Sequence, residues 1–340
     1  MNGPGLRVLR SRGEEVRRLL VVEGLLDPRR EILKEEGFLV LPLAPGRIPP
    51  EGWGEVVDRD FAPAPRPGPA DYRELLAWSP EDKAELPRSF DVVGDIVLVR
   101  VPKSLEARRK EIGAALLSFV PGARVVGADR GVHGPERRRE VEAIAGHGPW
   151  RTRHRENGID FEVDLERAYF SPRLAREHER VAEEVVRGDR VYDLCCGVGP
   201  FSVTIARDGR AREITAVDAN PAAIEMLRAT LQRHSFASKV EAVEGRLESF
   251  ALRAEPRERV IFNLPHEGIK YLPLVARTVA PRGRLYYYEV ASRDGLENRS
   301  EVVVGALGPQ DPWNVVDRHV VHPYSPTSDL IAWVVEREER

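Results

Sequence analysis

The stretch VYDLCCGVGPFSVTIA, residues 191–206, constrains the fold of this chain more than any other. A short apolar strand runs to Asp193, Gly197 and Gly199 make a tight turn, and a helix follows. Glycines at such a turn let the backbone approach a ligand closely. Downstream, EITAVDA (213–219), a helix through 222–234, VEAVEG (240–245), VIFNLP (260–265), a helix near 268–279 and GRLYYYEV (283–290) follow in turn. Strands alternating with helices specify an α/β fold with a parallel sheet and crossover helices. A strand near 301–304 and LIAWVVERE (330–338) are expected to close that sheet.

The chain before this region reads differently. Residues 14–25 place Val16, Leu19 and Leu20 at helical spacing, and FLVLPL (38–43) reads as a strand. Eight prolines between 41 and 70, including APAPRPGPA, predict a linker or extended loop. DVVGDIVLVRV (91–101) reads as a strand bent at Gly94, and residues 104–119 as a helix with Ser104 as N-cap. RTRHRENGIDFEVD (151–164) reads as a hairpin about Asn157-Gly158, and residues 176–187 as a helix. The organisation expected is therefore 1–70, a small N-terminal domain with its proline-rich linker; 71–164, an α+β linking domain; and 165–340, the α/β domain.

Composition removes several function classes. No run reaches the ~18 apolar residues of a membrane span, and no secretory leader is visible. The two cysteines, Cys195 and Cys196, are adjacent, which excludes a disulfide framework or zinc cage and suits a reducing cytoplasm. No His, Cys and carboxylate cluster has metal-ligand spacing, so no metal is expected. The net charge is −3, yet residues 101–160 carry 12 basic and 8 acidic side chains. That local excess can hold a phosphate backbone, or it is a solvated surface. Only 6 of the 52 basic residues are lysine; the arginine and proline content fits a thermophile or a GC-rich genome.

The glycine turn admits two cofactors. A dinucleotide fingerprint requires G-x-G-x-x-G, but the third position here is Ser202. Asp193 at the strand end suits an ammonium, and Asp218, nineteen residues after Gly199, can accept both hydroxyls of a ribose. S-adenosylmethionine has an ammonium and no pyrophosphate, so it fits better. Asn263-Leu264-Pro265 ends the fourth strand, where open α/β sheets bind ligands. It lacks the aromatic of amine-methylating Asn-Pro-Pro motifs, and no cysteine lies beside it for attack on a pyrimidine ring.

Several motifs together extend this reading. HRENGIDFEVDLERAYFSPRLAREHER (154–180), DLCCGVGPF (193–201) and NLP (263–265) resemble the archaeal and eukaryotic type of tRNA (guanine-37-N1)-methyltransferase. SFDVVGDIVLVRVP (89–102), RRKEIG (108–113) and GEEVRRLLVVEGLL (13–26) are similar to that family's linking and N-terminal segments. The resemblance implies a class I, Rossmann-like S-adenosylmethionine-dependent methyltransferase domain preceded by two small α+β domains, the first contacting the tRNA elbow. It implies methyl transfer to N1 of guanosine 37 beside the anticodon. Guanine N1 carries a proton at neutral pH, so the reaction needs a base and a donor or cation at O6.

By resemblance the base falls on Glu177 and the O6 stabiliser on Arg137, with Arg139 an alternative because three arginines run together. Read from its own neighbours, Glu177 is equally an exposed helix carboxylate paired with Arg173 or Arg180. Asn263 and Pro265 line the transfer site. Tyr169 and His178, where arginine is usual, flank the cofactor; Asp193, Gly197 and Gly199 cradle it; Asp218 and Ala219 hold the ribose. Arg246 and Leu247 match the adenine loop, although arginine at 246 cannot accept from the adenine amine where the family carries aspartate. The implied partner is tRNA, with no obligate protein partner, a monomer in the cytoplasm. The competing readings are an aminocarboxypropyl transferase or tricyclic-base methyltransferase of the wybutosine pathway, and a tRNA-binding protein without catalysis.

Overall fold

A computed structural model of the chain describes residues 2–63, 69–133, 138–309 and 311–339. It divides into two compact units, Met1–Leu75 and Leu76–Arg340. In the first, four antiparallel strands lie in the order Leu33–Glu35, Phe38–Pro42, Asn2–Leu9 and Glu55–Asp60. The helix Gly13–Val22 buries Val16 and Leu20 against Leu6, Val8, Leu41 and Leu43. The proline-rich span is thus not wholly a linker. Residues 51–60 hold no proline, and Val56 and Val57 pair with Leu6 and Gly5. Residues 64–68 lie outside the described set.

The second unit joins what the sequence divides at 164. Gly94 at φ +58 turns the stretch 91–101 into a hairpin, Asp91–Val93 with Ile96–Val99, rather than a bent strand. That hairpin continues into a four-stranded sheet with Val125–His133 and Arg138–Gly146. The helix expected from 104 begins as a 3-10 turn, Lys103–Arg108, before Arg109–Phe119, and Ser104 caps neither. Asn157 and Gly158, at φ +51 and +79, close the hairpin Arg151–Glu156 with Ile159–Asp164, the geometry a two-residue turn demands. The hairpin then packs on the methyltransferase-like part: the Glu162 amide donates to Thr230 Oγ1 at 2.9 Å, and Phe161 and Val163 share a core with Ile224 and Leu227.

The large sheet has seven strands in the order Val240–Glu244, Glu213–Asp218, Arg190–Leu194, Arg257–Phe262, Val279–Ser292, Ser328–Arg337 and Trp313–Pro323. The first five run parallel, Ser328–Arg337 is antiparallel to them, and Trp313–Pro323, antiparallel to Ser328–Arg337, returns to the common direction. Strand order reverses between Arg190–Leu194 and Arg257–Phe262, opening a crevice at their carboxyl ends. The segment near 301–304 is not a strand: Arg299–Leu307 is a helix burying Val303 and Leu307. The sequence reading also lacks the edge strand Trp313–Pro323, whose register shifts twice.

Thr230 is fully buried and its hydroxyl holds the Glu162 amide. Thr230→Val keeps the shape and leaves that amide unpaired, a loss of about 1–3 kcal/mol. Urea unfolding measures it; a change below about 0.5 kcal/mol would mean that this bond does not join hairpin to helix.

Candidate active site

The carboxyl edge of the large sheet gathers most of the residues singled out above. Cys195, a non-glycine residue at φ +61, and Gly197 at φ +57 bend the chain out of the first strand. Gly199 takes φ +77, and a Cβ there would lie 2.4 Å from Leu227 Cδ1. Pro200 then opens the helix Pro200–Asp208. Asp218 ends the neighbouring strand, accepting from the Gly197 amide at 2.7 Å and the Asn220 amide at 2.8 Å. Burial raises its carboxyl above the usual range against these bonds. Its carbonyl accepts from Gly245, which ties in the loop carrying Arg246 and Leu247.

Asp193 is buried. Its Oδ2 accepts from the Ser202 hydroxyl at 2.7 Å and the Ser202 amide at 3.2 Å, while Oδ1 has no partner. Burial pushes this carboxyl up to about 6, partly offset by the Ser202 bonds. A buried carboxylate oxygen without a donor is costly unless a cation completes it. That orphan, the glycine cradle and the Asp218 carboxylate fit a ligand with an ammonium and a ribose. Cys196 is buried packing; burial drives its thiol well above its ordinary range.

The YFSPRL segment lies beside this turn, with the Tyr169 carbonyl 3.8 Å from where a Gly197 Cβ would stand. Ser171 accepts from the Arg173 amide and Pro172 follows, launching the chain into the helix Ala175–Glu184. Arg173 itself pairs with Asp91, leaving Glu177 to Arg180. Glu177 is not an exposed carboxylate but 5% accessible. Its Oε1 accepts from Arg180 Nη2 and the Tyr288 hydroxyl, both at 2.7 Å. Its Oε2 accepts from Arg180 Nε at 3.0 Å and faces His319 Nε2 at 3.0 Å. Burial alone would raise this carboxyl; the Arg180 guanidinium, Tyr288 and His319 outweigh it and hold it below the usual range.

His178 does not flank an open pocket. It is fully buried, its Nδ1 meets Glu156 at 2.6 Å, and its ring packs edge-on against Phe201 at 4.5 Å. Its Nε2 has no partner. Asn263 and Pro265 stand half-buried at the end of the fourth strand, the Pro265 carbonyl held by the Val290 amide at 2.9 Å. His266 beyond them is exposed and meets the Tyr324 hydroxyl at 3.1 Å. Arg246 points outward to Glu248 at 3.1 Å; Leu247 is buried and Ala219 exposed. Arg137 lies outside the described residues. Arg139 is buried, with its guanidinium 5.2 Å from the Tyr169 ring centre and bonded to the Phe170 carbonyl at 3.3 Å.

Known proteins match this geometry along the whole chain. Residues 152–303 fit the TRM5/TYW2 methyltransferase domain, 72–149 the TYW2 N-terminal domain, and 5–47 the tRNA methyltransferase 5 N-terminal domain. The tRNA (guanine(37)-N(1))-methyltransferase Trm5b of Pyrococcus abyssi is 34% identical over 284 residues, 83% of each chain. The chain belongs to the Trm5 family. The crystal structure of that Pyrococcus abyssi protein superposes with a TM-score of 0.74 at 30% identity, covering 99% of this chain and 100% of the other. A solved complex of aTrm5 with tRNALeu superposes at 0.71 with 27% identity, covering 98% and 99%. The Trm5 fold is thus a class I methyltransferase sheet preceded by smaller domains.

His319 and Tyr288 are partners of Glu177 that sequence reasoning missed. Tyr288 was hidden in the apolar run LYYYEV, and His319 sits in an edge strand interrupted by a bulge between Val315 and Asp317. The spacing of Asp317 and His319, two apart, was the available signal.

Gly199→Ala places a side chain into a left-handed position and against Leu227. A stability loss of about 1–3 kcal/mol is expected, with weakened cofactor binding. Thermal unfolding beside calorimetric titration checks both; a variant normal in each would mean that the turn relaxes.

Proposed function

We propose that this Trm5 family member transfers a methyl group to N1 of guanosine 37 in tRNA. The observation that carries the reading is the buried, ionised Glu177 beside the glycine turn. S-adenosylmethionine, when bound, supplies the electrophilic methyl group. Asp193 Oδ1 would meet its ammonium, Asp218 and Ala219 its ribose, the Gly197–Gly199 turn its body, and the loop at Arg246 and Leu247 its adenine. Arg246 pairs with Glu248, so in this reading the adenine amine is met by backbone of that loop. Asn263 and Pro265 line the transfer site and Tyr169 flanks the cofactor, while His178 supports it from beneath through its contact with Phe201.

Glu177 takes the N1 proton. A carboxylate held below its usual range is in the ionised form a base needs, and three donors from Arg180 and Tyr288 orient it. Arg137 stabilises the charge that develops at O6, while Arg139 is buried against Tyr169 and Phe170. Residues 1–70 grip the tRNA elbow, 71–164 link, and 165–340 carry the chemistry. Among the described residues no helix is long and apolar enough to cross a membrane. In this reading the enzyme is a cytoplasmic monomer.

Labelled S-adenosylmethionine and two unmodified tRNA transcripts, with G or A at position 37, test the activity. Label should enter only the G transcript, at N1; transfer of the aminocarboxypropyl chain instead would place the enzyme in wybutosine synthesis. Glu177→Gln should lower kcat about 10²–10⁴-fold without weakening cofactor binding. Arg137→Ala should lower it about 10²–10³-fold, whereas Arg139→Ala should first lower the melting temperature. Equal turnover in the Glu177 variant removes the base assignment.

The Asp193 carboxyl, pushed up to about 6, also predicts a pH dependence. An ammonium ligand selects the ionised form, so affinity for S-adenosylhomocysteine should rise with pH through about 6 and then level. Folding stability runs the opposite way. The native state keeps a proton that the unfolded chain releases near 3.8, so this contribution is full below 3.8 and is lost as pH rises through about 6. Calorimetric titration should show the binding trend in the wild type and not in Asp193→Asn. Affinity independent of pH in the wild type would exclude Asp193 as the ammonium's partner.

A further inference from the structure

The proton that Glu177 removes must leave a buried group before the next turnover. Three of the contacts around Glu177 offer no exit. Arg180 is a permanent cation that also pairs with Glu184, and it supplies two of the bonds. Tyr288 is fully buried, and burial beside Glu177 drives its hydroxyl well above its ordinary range. The fourth contact differs. His319 reaches Glu177 Oε2 through Nε2 at 3.0 Å and Asp317 Oδ2 through Nδ1 at 2.8 Å. The exposure rises along this line, from 5% at the Glu177 side chain to 28% at His319 and 50% at Asp317. Both groups come from the edge strand Trp313–Pro323, where the register shift after Val315 precedes Asp317.

We propose that His319, backed by Asp317, carries the proton from Glu177 to solvent, acting through the base as a positioning and proton-passing residue. The proposal rests on Glu177 being the base. Before turnover the ring is neutral and holds its proton on Nδ1, donated to Asp317. The N1–H bond breaks, its proton goes to Glu177, and the electron pair stays on N1 for the bond to the methyl. Glu177 then gives that proton to Nε2, which forms an imidazolium between two carboxylates. The partly exposed ring then turns its Nε2 to water and releases that proton there, returning to Glu177 neutral with its Nδ1 proton kept. The net product is one proton released per methyl transferred. The charged and titratable groups facing the pair are Arg180 from the helix, Tyr288 from the fifth strand and Asp317 from the edge strand itself.

The test uses the full chain, an unmodified G37 tRNA transcript and multiple-turnover methyl transfer with saturating S-adenosylmethionine. His319→Gln keeps an amide to hold Glu177 but cannot pass a proton. Its rate should fall about 10²-fold, with affinities for S-adenosylhomocysteine and tRNA within about twofold of wild type. His319→Ala should fall similarly and regain rate when imidazole is added, which a merely structural loss would not do. Asp317→Asn should fall less. A His319→Gln rate within about twofold of wild type, or a His319→Ala deficit that imidazole leaves unchanged, overturns the proposal. Glu177→Gln separates the two readings. If it retains the wild-type rate, the base assignment fails and takes the relay with it; if it is inactive while His319→Gln is normal, the relay alone fails.

Discussion

Taking a carboxylate out of water costs several kcal/mol, and this edge of the protein is arranged around recovering that cost at Glu177. Arg180 neutralises it from one turn away on its own helix, and Tyr288 and His319 complete its shell from two strands of the large sheet. One side chain therefore joins the helix after YFSPRL to the fifth strand and to the edge strand. The neighbouring aromatic layer repeats the join without charge: His178 packs on Phe201, and Phe201 on Tyr288 at 5.5 Å. Removing one partner would leave the rest of this shell holding an uncompensated charge.

Asp193 is handled in the opposite way. Ser202 satisfies one oxygen and nothing satisfies the other, so its carboxyl is raised where that of Glu177 is lowered. Two carboxylates at the edge of one sheet thus have divergent environments. One is complete within the protein; the other keeps an oxygen without a partner. In the proposed reaction, this divergence separates cofactor binding from proton transfer.

The parallel part of the fold was legible because strand and helix periods alternate cleanly from 191 to 290, and because Asn157-Gly158 admits essentially one kind of turn. What failed did so for local reasons. Valines at 302–304 suggested a strand, but the tertiary packing of Val303 and Leu307 makes a helix. Prolines at 42–50 masked the edge strand 55–60, which contains none. In the site, Asp193, the glycines and Asp218 could be read from spacing, since the backbone turn itself fixes them. The burial of His178 and the company kept by Glu177 could not, because their partners Glu156, Tyr288 and His319 come from distant strands.

The strand order has a consequence for synthesis. Glu177 lies early in the domain, but its shell is finished by residue 319, and that edge strand is held in turn by Ser328–Arg337. A chain emerging from the ribosome exposes its glycine turn and its first three domain strands long before these last two leave the exit tunnel. Until then Glu177 has Arg180 but not His319. Completion of the shell around Glu177 is therefore a late event of translation.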